Sequence, residues 1–164
     1  MATKNPAPTN AAAEAAESMV KPDNDNELKG DVEYYYGNSD QVSGNTVAHE
    51  FFFVLLQSAP IAHMLHLQTR SFAEHMALDT FYKEMPGLVD DLVENYQGKY
   101  GLVTQYPSAV KLPTHNNGRA LLENLSAYIQ LTRGQVAPDS EIQNLIDEIQ
   151  SLVNSTLYKS KFLY

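Results

Sequence analysis

Two histidines and three carboxylates in the middle of the chain have the types and spacing to hold a metal ion: His66, His75, Asp79, Asp90 and Glu94. At about 100° per residue, His75, Asp79, Asp90 and Glu94 fall within about a quarter-turn of one another on one helix. His66 comes just before them, across a short connection. Imidazoles and carboxylates from adjacent helices are a ligand set suited to iron or manganese, with oxygen donors compensating charge and nitrogen donors holding geometry. The plain alternative is a solvated helix face, since exposed helices are rich in Asp and Glu and histidines near helix ends often bond locally. Both readings stand at the level of the residues. Pro86 bears on the choice, because a break there would bend or split the helix and turn Asp90 and Glu94 away from His75.

These residues need helices to position them. Helix one is expected from Asn45 or Thr46, either of which can cap it, to about Gln68, running through Val47, His49, Phe52, Phe53 and Leu56, with a kink near Gln57 caused by Pro60. Its apolar surface is too broad for a single buried stripe, which suits deep burial or contact with a second subunit. Ser71-Phe72-Ala73-Glu74 has the form of a capping box, so helix two starts there and runs to about Gln97, ended by Gly98 and Gly101. From Lys99 to Asn117 the pattern lapses. Helix three is expected from about Asn117 to Arg133. After Pro138 and Asp139, the apolar residues Ile142, Leu145, Ile146, Ile149, Leu152, Val153 and Leu157 recur at steps of three and four and define helix four. Two helical hairpins joined by a longer crossover make an all-α four-helix bundle.

Residues 1–44 read as an acidic, low-complexity tail, flexible in isolation, ahead of a helical domain over 45–164. Tyr34, Tyr35 and Tyr36 interrupt it, either as an anchor that docks on a partner or as a cluster that packs on its own domain. The formal charge of −9, with 20 acidic and 11 basic residues and no basic run, speaks against a nucleic-acid backbone as partner. With no cysteine, thiolate metal sites, disulfides and cysteine nucleophiles are excluded. The apolar run Phe51–Leu56 is interrupted by Gln57, Ser58, Pro60, His63 and His66, so no membrane span is expected and the protein reads as soluble and cytoplasmic. No nucleophile-elbow or phosphate-loop pattern is present. The aromatic C-terminus from Leu157 to Tyr164 either packs on a neighbour or forms the last turn of a core helix.

The stretch from Val47 to Gly101 resembles the ferritin-like proteins of the Dps type, the starvation-induced mini-ferritins, and especially the divergent Dps-like proteins of bacteriophages. The matching residues are His66, His75, Asp79 and the Asp90-x-x-x-Glu94 pair, with His66-Leu67-Gln68-Thr69, Ala73-Glu74-His75 and Tyr96-Gln97-Gly98 around them. The resemblance implies a ferritin-like four-helix bundle that assembles into a closed shell of identical subunits, oxidising and storing ferrous iron. It implies a di-metal site between two subunits: His66, His75 and Asp79 from one, Asp90 and Glu94 from its two-fold mate. The link between His66 and His75 is shorter than in typical Dps proteins, so His63 is an alternative first histidine. The tail is acidic where DNA-binding Dps proteins have a basic one, so nucleic-acid binding is not carried over. The rival expectation is a structural protein of a phage virion or its assembly. Such a protein would retain the scaffold and dock on virion or assembly proteins through Tyr34–Tyr36.

Overall fold

The computed structural model describes residues 46–107 and 115–163, and all its regular structure is helical: α1 (Thr46–Gln68), α2 (Phe72–Tyr100), α3 (Gly118–Val136) and α4 (Ser140–Phe162). Local chemistry sets most of the ends. The Ser71 side chain accepts a hydrogen bond from the Glu74 amide at 3.2 Å, and Asn117 accepts one from the Ala120 amide at 2.8 Å. Gly101 ends α2 at φ 93°, a left-handed value that suits glycine, while its own amide bonds the Gln97 carbonyl. Helix two therefore runs three residues past its expected end at Gln97.

The order of packing follows from what meets at each end. α1 and α2 form one antiparallel hairpin, and α3 and α4 form another. Lys99 and Tyr100, at the end of α2, bond Asp139 at the start of α4, so these two helices run antiparallel. Glu74, in the first turn of α2, bonds the first amides of α3, so α2 and α3 start at the same end and run parallel. The end of α2 and the start of α3 therefore lie at opposite ends of the bundle. α2 lies between α1 and α4, α3 lies between the same two helices, and α2 and α3 meet only slightly.

Four helices enclose one core. Phe51, Phe52, Leu55, Leu78, Phe81, Met85, Leu92, Leu122, Ile129, Ile146 and Val153 are all buried in it. Phe52 meets Tyr96 edge-on at 5.0 Å between ring centroids, and Phe51 stacks on Tyr128 at 5.8 Å. α1 is long and apolar enough to cross a membrane, but half of that stretch is buried in the bundle, as a core helix would be. Its packed stripe is Ala48, Phe51, Phe52, Leu55, Ala59 and Ala62. Leu56, placed on the apolar course of the helix by the sequence, is exposed.

α2 is continuous through Pro86, so the break that would turn Asp90 and Glu94 away does not occur. Pro86 is exposed, and the flanking Met85 and Val89 are fully buried. Packing on both sides of the proline holds the helix together. α1 likewise continues past Pro60.

Glycine at 118 is demanded by packing. A Cβ there would stand 2.6 and 2.9 Å from the two terminal methyls of buried Leu78, and 3.0 Å from the Glu74 carboxylate. Gly118→Ala is expected to destabilise the protein by about 1–3 kcal/mol through overpacking. A urea unfolding midpoint unchanged from wild type would contradict this close approach.

Candidate functional site

The hairpin end of α1 and α2 brings two of the predicted ligands into contact. The His66 and His75 rings stack at 3.7 Å between centroids, inclined by 23°. Each ring bonds the main chain of the other residue: His66 Nδ1 lies 2.8 Å from the His75 carbonyl, and His75 Nδ1 lies 3.0 Å from the His66 carbonyl. A carbonyl only accepts, so Nδ1 carries the hydrogen in both rings. The neutral rings then hold their lone pairs on Nε2. An imidazole fixed through one nitrogen by a carbonyl and open at the other is arranged as metal-binding histidines generally are. His66 is buried and His75 half-buried.

Around this pair stands a set of rings and charges from the next turns. His63 stacks on Tyr82 at 4.2 Å, and Tyr82 also meets His66 edge-on at 5.3 Å. The Tyr82 hydroxyl donates to Asp79 Oδ1 at 2.9 Å, and Lys83 donates to Asp79 Oδ2 at 2.7 Å. Lys83 first, then Tyr82, hold the Asp79 carboxyl below its usual range. Because that value is depressed in the fold, the interaction operates at neutral pH and is lost as pH falls through the lowered value. Tyr82 and Lys83 were not among the sequence-derived candidates. Their signal was the helical spacing of Asp79 to a donor three and four residues on.

Asp90 and Glu94 are exposed on the far half of α2. Fifteen residues separate His75 from Asp90, about 22 Å along the helix axis. Within one chain the five candidates therefore form two groups: His66 and His75 with Asp79 one turn on, and the Asp90–Glu94 pair well away. Among the described residues no three His, Asp or Glu side chains close into a metal-binding set. Glu94 lines an open hollow with Asn95, Gly98, Lys99 and Glu141. Tyr34, Tyr35 and Tyr36 lie outside the described residues.

Charge divides the bundle lengthwise. Asp90, Asp91, Glu94, Asp139, Glu141, Asp147 and Glu148 lie toward the end away from the histidines, with Lys99 and Arg133. Lys99 is pushed well above its usual value by Asp139 first and Glu141 next, which clasp it from α4. At the histidine end, Lys161 and Arg119 share Glu123. Arg70 and Lys159 have no ion-pair partner among the described residues, and both lie at this end.

An all-helical bundle with one long crossover and a histidine pair clasped at one end is the class that fold and geometry define. The chain belongs to a family of unknown function, DUF5856, whose model matches residues 66–160 and so spans every candidate ligand from His66 to Glu94. It is similar to an uncharacterised 14.6 kDa protein encoded in the mobD–ri intergenic region of Enterobacteria phage T4. The two are 31% identical over 121 residues, covering 71% of this chain and 86% of the phage protein. No solved structure gives a significant match.

Proposed function

We propose that this is a phage-encoded, ferritin-like protein that binds iron between two copies of the chain, with His66, His75 and Asp79 from one and Asp90 and Glu94 from the other. The observation that carries the reading is the reciprocal clasp of His66 and His75, which engages Nδ1 of each stacked ring and leaves Nε2 of each as the nitrogen that can take a metal. Two antiparallel hairpins whose second and third helices run parallel support this reading, since ferritin-like folds join their hairpins by one long connection. The outer side of α1 carries exposed Leu56, Met64 and Leu67 in helical register, an apolar face for a second subunit. An antiparallel mate laid against it would bring an acidic half opposite a histidine end.

The donor set fits iron in its chemistry. Two imidazole nitrogens have fixed tautomers, and Asp90 and Glu94 are exposed without an ion-pair partner among the described residues. Asp79 is engaged by Lys83 and Tyr82, so its carboxylate must exchange the lysine for the metal on binding. Iron held there would supply electrons for reduction of oxygen or peroxide. The histidine clasps hold the donors in place, and the apolar α1 face excludes water from the seam between copies.

Metal titration of the full chain tests this, with ferrous iron under anaerobic conditions and cobalt as a spectroscopic probe. His75→Ala and Glu94→Ala are each expected to weaken binding at least 100-fold, with helical content unchanged. Mixing the two variants is expected to restore part of the binding, because each supplies the half-site the other lacks. Wild-type affinity in either variant would end the reading. A second reading, a structural protein of a phage particle or its assembly, is favoured by the aromatic surface at the end of α4. It predicts no specific iron binding in the same titration.

A further inference from the structure

The last turns of α4 carry a surface that the metal reading does not use. Tyr158 and Phe162 are 56% and 64% exposed and lie 5.6 Å apart between ring centroids, an aromatic pair one helical turn apart that faces solvent. Leu163 continues the apolar surface. Lys159 sits between the rings in sequence, without an ion-pair partner among the described residues. Arg70, at the same end of the bundle, likewise has no ion-pair partner among the described residues, and Phe72, two residues on, is 77% exposed. An aromatic surface with Lys159 beside it in sequence and Arg70 at the same end of the bundle suits an acidic, aromatic-bearing polypeptide.

The chain supplies such a polypeptide. Residues 1–44 contain eight carboxylates against three lysines, and Tyr34, Tyr35 and Tyr36 stand in succession close to the acidic residues. This segment joins α1 at Thr46, the opposite end of the bundle from Phe162. α4 has 23 residues and is about 34 Å long. The ten residues from Tyr36 to Thr46 span at most about 35 Å when fully extended. Docking within one chain would need that stretch held at its limit, whereas a second copy reaches the surface freely.

We propose that the end of α4, with Arg70 and Phe72, receives the N-terminal segment of a second copy of this chain, Tyr34–Tyr36 packing on Tyr158 and Phe162 and the acidic residues facing Lys159 and Arg70. Such a contact is head-to-tail, and it adds copies one after another unless the geometry closes a ring. It is independent of the metal site.

Sedimentation velocity of the full chain in the presence of a chelator tests it. Wild type is expected to grow in mass with concentration, and the growth to weaken as salt is raised. One variant carries Tyr34→Ser, Tyr35→Ser and Tyr36→Ser, and another carries Phe162→Ser with Lys159→Glu, all at surface or tail positions. Each alone is expected to lose this growth by at least 10-fold in affinity. An equimolar mixture is expected to associate again, because one variant keeps the surface and the other keeps the segment. A mixture that associates no better than its components, or a wild-type mass that stays constant, overturns the proposal. A synthetic peptide of residues 27–42 is expected to bind the tyrosine variant and not the Phe162→Ser/Lys159→Glu variant. Equal binding to both overturns it as well.

Discussion

Phe52→Ala is expected to lower folding stability by about 3–5 kcal/mol, the cost of removing a fully buried aromatic ring and leaving a cavity in its place. Phe52 has no exposed surface, meets Tyr96 edge-on at 5.0 Å and touches the Phe51 ring at 6.3 Å. It ties the first half of α1 to the last turns of α2. A single domain has only about 5–15 kcal/mol to lose, so the variant should unfold at a far lower urea concentration or fail to accumulate. Phe72→Ala is the control, since that ring is 77% exposed and its loss should change stability by no more than about 0.5 kcal/mol. Equal effects at the two positions would mean that the core does not lie where the helices place it.

Glu74→Ala is expected to cost about 2–3 kcal/mol, large for a residue that is only half buried. One carboxylate serves three donors. Its Oε1 accepts from the Gly118 amide at 2.9 Å and the Arg119 amide at 3.3 Å, and its Oε2 accepts from the Thr69 hydroxyl. It thus caps α3 from outside while pinning the turn between α1 and α2. Without it, two of the leading amides of α3 lose their acceptor, and the turn next to His75 loses a tie. Glu74→Gln keeps one acceptor oxygen and is expected to cost about half as much. Chemical denaturation of the three proteins measures the difference. Glu74→Ala should also loosen the histidine clasp, visible as faster exchange of the ring signals in NMR spectra.

Much of the helical framework was legible from residues that act over one turn. Ser71, Asn117 and Gly101 mark helix ends because capping satisfies amides and carbonyls within three or four residues. The stepping of Ile142, Ile146, Ile149 and Val153 identifies the buried side of α4 for the same local reason. The pairing of His66 with His75 was implied by a short turn between two helices, and the structure brings both rings into contact there.

What the sequence left open involves partners far away along the chain. The Ser-x-x-Glu pattern at Ser71–Glu74 predicts a carboxylate turned back on its own helix, but Glu74 instead reaches Gly118, because the parallel start of α3 offers unsatisfied amides closer at hand. The rotation of α1 was equally undetermined. A helix apolar on most sides does not encode which side faces inward, and only the packing of α2 and α3 against it buries Phe51 and Leu55 while leaving Leu56 outside. Pro86 carries a local instruction to bend that the burial of Met85 and Val89 overrides. By itself, then, the sequence determined the helices, their caps and the residue types at the histidine end. Tertiary structure decided which faces meet, that Glu74 reaches the first amides of α3, and that α2 runs unbroken past Pro86 to Asp90 and Glu94. The division has a physical cause: hydrogen bonds within a turn depend on near neighbours, whereas burial depends on every helix at once.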